Sequence, residues 1–71
     1  MSGSRKLTID EKAVYSRQEA AEILGVSLST LKKLIDAGYL RVSRPPGVRR
    51  VFIQGSSIIE MLNKTAVERQ A

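Results

Sequence analysis

Seventy-one residues with twelve Lys/Arg, seven Asp/Glu and a formal net charge of +5 bound this molecule before any element is assigned. That length allows one small domain with a short core, burying about 60% of the surface its unfolded chain exposes, and leaves no room for an enzyme pocket walled on all sides. Cysteine and histidine are absent, which excludes disulfides, thiolate or imidazole metal sites, Cys nucleophiles and His general bases. The charge is uneven: residues 1–39 carry six bases and five acids, residues 40–71 six bases and two acids. A basic second half points to a polyanionic partner, with a solubilising surface as the plain alternative. No apolar run approaches the ~18 residues of a membrane span. The expectation is therefore a soluble, cytoplasmic protein with no membrane partner.

Residues 1–11 are polar and mixed in charge, and are read as a flexible N-terminal arm with disorder at least through Ser4. Leu7 and Ile9 alternate with polar residues, which allows a short strand or a docked extended arm. Tyr15 precedes the first helix and serves as a hydrophobic staple or a lid on the core. Residues 12–68 form the predicted domain, and residues 69–71 a frayed end.

Ser16 and Glu19 form an S-x-x-E capping box, which satisfies two orphan backbone donors at a helix start. Helix one runs over residues 17–24, with Ala20, Ile23 and Leu24 on one apolar face at i, i+3 and i+4. Arg17 and Gln18 sit in its first turn, where free N–H groups and the helix dipole favour an anion. A phosphate contact and a simply exposed first turn both fit there. Gly25 stops the helix, and Ser27 caps the next.

Helix two runs over residues 28–37. Stepping about 100° per residue, Leu28, Leu31, Leu34 and Ile35 cluster on the side that packs against helix one. Ser29, Lys33 and Asp36 lie opposite, flanked by Lys32 on one edge and Thr30 with Ala37 on the other. Small hydroxyls near the N-terminus with longer donors one turn on suit a helix that enters a DNA groove. A solvated amphipathic face is the competing reading. Two capped helices around a glycine turn make a helix-turn-helix.

Gly38 ends helix two. Residues 39–44 and 48–53 are strand candidates around Pro45-Pro46-Gly47, so a β-hairpin follows the helix pair as a wing. Arg44, Arg49 and Arg50 fall at or beside its tip, and residues 41–50 contain no acid. Such a tip can grip phosphates or enter a minor groove; charges there also deter edge pairing. Ser56 or Ser57 caps a last helix to about residue 67, with Ile58, Ile59, Met61, Leu62 and Ala66 closing the core. The fold class is mainly α with a small β-hairpin: a winged helix-turn-helix of three helices plus wing. Carboxylates occur singly on helix surfaces, so neither a catalytic constellation nor a cofactor or metal site is expected, and the protein is not read as an enzyme.

The run YSRQEAAEILGVSLSTLKKLIDAGYLRVSRPPGVRRVFI resembles the DNA-binding domain of the MerR superfamily, and within it the compact excisionase (Xis) branch of phages and mobile elements. The chain looks like the excisionases of mycobacteriophages, which are recombination directionality factors. The shared pattern is an aromatic and Ser/Thr before E-A-A, then L-G-V-S-x-x-T, L-I-x-x-G-x-L, a loop, R-R with a β-branched run, and a closing helix. The resemblance covers about residues 15–62. It implies helix two in the major groove and the wing in the adjacent minor groove. Ser27, Ser29, Thr30 and Lys33 match the family's groove and phosphate contacts, and Arg49 and Arg50 its basic wing. Lys33 stands where many relatives have arginine and cannot make the planar bidentate contact to guanine. Pro45-Pro46 is a second departure.

Excisionases of this kind bind tandem sites at an attachment region, bend the DNA and direct a tyrosine integrase towards prophage excision. The resemblance thus implies double-stranded DNA, an integrase and cooperative head-to-tail copies of the same chain as partners, inside a bacterial host cell. Few residues follow the last helix, so neither the dimerisation coiled coil nor the effector domain of MerR-type regulators is expected, and no small-molecule effector. The alternatives are a small phage or plasmid repressor of the same fold and an adaptor whose basic face meets an acidic protein.

Overall fold

The structure, a computed structural model, describes residues 8–67. The disorder expected through Ser4, the strand role considered for Leu7 and the fraying expected at 69–71 lie outside the described residues. Five elements occur among the described residues: β1 (Val14–Tyr15), α1 (Arg17–Leu24), α2 (Leu28–Asp36), β2 (Ile53–Gln54) and α3 (Gly55–Lys64).

Local chemistry explains the first two helices. The Ser16 Oγ accepts from the Glu19 N–H at 3.1 Å while the Ser16 N–H donates to Glu19 Oε1 at 2.8 Å, completing the capping box. Gly25 takes φ 70°, and the Val26 N–H reaches back to the Ala21 carbonyl at 3.0 Å. A side chain at that φ would be strained, so the turn needs glycine. Ser27 Oγ then accepts from the Thr30 N–H at 3.1 Å and opens α2. At the far end Gly38 has φ 86°, and the N–H groups of Gly38 and Tyr39 bond the carbonyls of Ile35 and Leu34, both at 3.0 Å. This is a Schellman closure, which satisfies two otherwise orphaned carbonyls.

The core is small: Ala20, Ala21, Leu31, Leu40, Ile53, Ile58 and Met61. Ala20 and Ala21 are short enough to let α2 close on α1, and Leu31 is fully buried. Ile9, Leu34, Ile35 and Val51 pack around it, partly covered. Tyr15 is half-buried and its hydroxyl accepts from the Asp10 N–H at 3.0 Å, which ties the incoming chain to the core.

Three expectations are corrected. The helical wheel puts Leu28 on the core face, but it is 53% exposed. The buried arc centres on Leu31, and Leu28 lies about 60° round the helix from it, at the rim of the contact. Next, the hairpin of the wing is held by a single antiparallel bridge, not by the two strands expected over residues 39–44 and 48–53. Ser43 and Phe52 exchange one pair of backbone bonds, at 2.8 and 2.9 Å, and residues 44–51 are otherwise outside any strand. Pro45 and Pro46 have no N–H to give a ladder. Pro46 and Gly47 instead occupy the centre of a tight turn closed by Val48 N–H to the Pro45 carbonyl at 3.2 Å, with Gly47 at φ 81°, the positive φ that a type II turn requires there. The antiparallel sheet joins β1 to β2, with Val14 opposite Gln54 and Tyr15 opposite Ile53.

The last correction concerns α3. It starts at Gly55, not after a Ser56 or Ser57 cap, and ends at Lys64 rather than near Val67; Leu62 and Ala66 are exposed. Its N-cap residue Gln54 makes no side-chain capping bond. Backbone carbonyls do that work: Ala13 accepts from the Gly55 N–H at 2.9 Å and Glu11 from the Ser56 N–H at 3.1 Å. The segment before β1 therefore caps the closing helix, a pairing between residues more than forty positions apart.

Candidate nucleic-acid interface

The first turn of α1, one edge of α2 and the wing enclose an open groove of about 880 Å³. α1 contributes Arg17 and Gln18; α2 contributes Leu28, Ser29 and Lys32; the wing contributes Arg44, Arg49 and Arg50. Val14, Ile35, Val51 and Phe52 form its apolar wall. The polar members are exposed, and five of them are cations. Glu19 also lines the groove, but its carboxylate is committed to the Ser16 N–H. The groove therefore presents a positive rim over an apolar wall.

Of the ten residues singled out from the sequence, the fold gathers Arg17, Gln18, Ser29, Lys32, Arg44, Arg49 and Arg50 in this groove. Ser27, Thr30 and Lys33 lie outside its lining, though all three are exposed. Ser27 and Thr30 are engaged with each other, the Ser27 hydroxyl lying 3.1 Å from Thr30 Oγ1. Lys33 sits about 100° round α2 from Lys32, on the outward face with Ser29.

Two charges are held in ways the sequence did not reveal. Lys32 Nζ lies 2.7 Å from Asp36 Oδ2, one turn along α2. That hydrogen bond, with the charges of Lys32 and Arg44, holds the Asp36 carboxyl below its ordinary value of 3.8. Arg41 is not part of the groove. It pairs with Glu60 of α3 at 3.5 Å, and Lys64 joins the same carboxylate at 3.6 Å. The cationic cluster read between residues 41 and 50 is thus split between two faces.

Leu28 is the groove residue that sequence reasoning missed. Its signal was present: on the helical wheel it falls only about 40° from Lys32, nearer that edge than the centre of the buried arc.

A capped helix, a glycine turn, a second capped helix with an exposed outward face and a basic loop closed beside it define a helix-turn-helix of winged form, a DNA-binding class. The chain belongs to the helix-turn-helix domain family, whose model matches residues 14–66. No curated protein and no solved structure matches the chain. Among the described residues no group of three or more His, Cys, Asp or Glu could hold a metal ion.

Proposed function

We propose that this chain is an excisionase, a recombination directionality factor that binds tandem sites near a phage attachment site, bends the DNA and directs a tyrosine integrase towards excision. The observation that carries the DNA-binding part is the convergence of Arg17, Lys32, Arg44, Arg49 and Arg50 on one groove beside the outward face of α2. The likeness of residues 15–62 to the excisionase branch carries the narrower part.

In this reading α2 enters a major groove, which is wide enough to admit a helix. Ser29 and Lys33 face the base edges, and the groove cations take the flanking phosphates. Arg44, Arg49 and Arg50 reach the adjacent minor groove or its backbone. The Gly47 turn keeps the tip narrow, and Pro45 and Pro46 limit its flexing. The α2 face carries few donors, and Lys32 is shared with Asp36. One copy alone would bind weakly, so head-to-tail copies on phased sites supply the affinity and the bend. The setting is the cytoplasm of a bacterial host, and the reading needs no cofactor and no small-molecule effector.

Gel-shift titration and footprinting on attachment-region DNA test it. The expected result is stepwise, cooperative complexes, several phased protected sites and an altered mobility that depends on where the site lies in the fragment. A single protected operator at a promoter would replace the excisionase reading with a repressor. Binding with no sequence preference, together with capture of an acidic protein, would overturn the DNA reading.

A further inference from the structure

Helix α2 opens on a large apolar side chain that the core does not use. Leu28 occupies its first helical position, is 53% exposed, and lines the groove beside Ser29 and Lys32. Cations line the same groove: Arg17 from α1 and Arg44, Arg49 and Arg50 from the wing. The buried centre of a protein–protein contact is depleted of charge, so an apolar residue in a groove that also holds four arginines suits a polyanion that itself carries apolar groups. Duplex DNA offers one such group to a helix in its major groove, the C5-methyl of thymine. The residues that open a recognition helix are the ones that reach base edges.

The other groove-facing side chains of α2 discriminate less. A serine hydroxyl both donates and accepts, so Ser29 suits more than one base. Lys32 is drawn to Asp36. Leu28 has neither donor nor acceptor and reads only shape and apolarity. We infer that Leu28 is a specificity-determining residue whose side chain packs on the 5-methyl group of a thymine, so that the protein selects thymine at that position. This rests on the groove being a DNA interface and adds the identity of a base it reads.

The test uses the full chain and a pool of random-sequence duplexes. Each thymine of the enriched site is then replaced by deoxyuridine, which keeps the pairing groups and lacks only the methyl. Affinity is expected to fall about fourfold at one or two positions, the transfer value of one buried methyl-sized group. L28A is expected to bind the thymine and uracil duplexes equally, with the wild-type salt dependence and an unchanged thermal melt, because Leu28 lies outside the core. Equal binding of both duplexes by the wild type at every position overturns the assignment, and so does a thymine preference that survives in L28A. A pool with no enriched duplex overturns the DNA reading and the Leu28 role together, whereas enrichment without methyl dependence removes the Leu28 role alone.

Discussion

Lys32 donates a 2.7 Å hydrogen bond to Asp36 one turn further along α2, on the edge of the helix that faces the basic groove. The pair is exposed, so its own stabilisation is slight. Its consequence for binding is larger, because it lowers the charge that the groove can offer a phosphate. Asp36→Asn is expected to release Lys32, tighten duplex binding and steepen the salt dependence by about one unit. Affinity measured over a series of salt concentrations checks this, and an unchanged slope would show that Lys32 meets no phosphate. The pH sign follows from the depressed Asp36 carboxyl: the pair's small contribution is complete above the ordinary value of 3.8 and is lost as pH falls through the lower folded value.

The wing arginines should act differently from Arg41. Arg49→Ala or Arg50→Ala is expected to weaken binding to every sequence and to reduce the salt slope by about one unit each. Arg41→Ala should leave binding unchanged, since Arg41 pairs with Glu60 on the α3 face. The same salt titrations distinguish the three, and an equal loss for Arg41→Ala would contradict the division of charge between two faces.

Lys33 lies outside the groove lining but on the outward face of α2, and a major groove takes in the whole helix. Lys33→Ala is expected to weaken binding to a specific site more than to random duplex. Competition between the two DNAs gives the measurement, and equal losses would mean that Lys33 touches only backbone.

Gly55 is the position where the closing helix meets the segment before β1. A Cβ there would overlap the backbone carbonyl of Asp10, and backbone cannot swing aside as a side chain can. Gly55→Ala is expected to destabilise the fold by about 1–3 kcal/mol, the usual range for overpacking. A denaturant melt near wild type would show that this contact is not held in solution.

Leu31 and Ser16 test the two sources of stability in the helix pair. Leu31 is fully buried, and Leu31→Ala should cost on the order of 2–5 kcal/mol, a large share of what so small a domain possesses. Ser16→Ala removes one half of the capping box and should cost about 1 kcal/mol. Ile35 is only half-buried, so its truncation should fall below that of Leu31. Thermal melts of the three rank them.

How much could be read in advance varied with the range of the interaction. Helix one, helix two and both glycine turns were legible because a serine cap, a glutamate three residues on and a glycine at positive φ act within one turn of chain. Seven of the ten nominated site residues share the groove because the two helices and the wing are adjacent along the chain as well as in space. The start of α3 is not legible in the sequence because its cap is not a nearby hydroxyl but the carbonyls of Glu11 and Ala13. The wing is less regular than its sequence pattern suggests: β-branched residues flanking a loop fit a hairpin, while the two prolines withhold ladder bonds.

The two capped helices, the turn between them and the basic loop behind them thus follow from contacts a few residues long. Which charges face which way depends instead on how distant segments pack. That packing joined β1 to β2, sent Arg41 to Glu60 and left Leu28 at the mouth of the groove. Each of those outcomes turns on where distant segments meet, and a helical wheel fixes the angle between side chains without saying which angle the rest of the chain will cover.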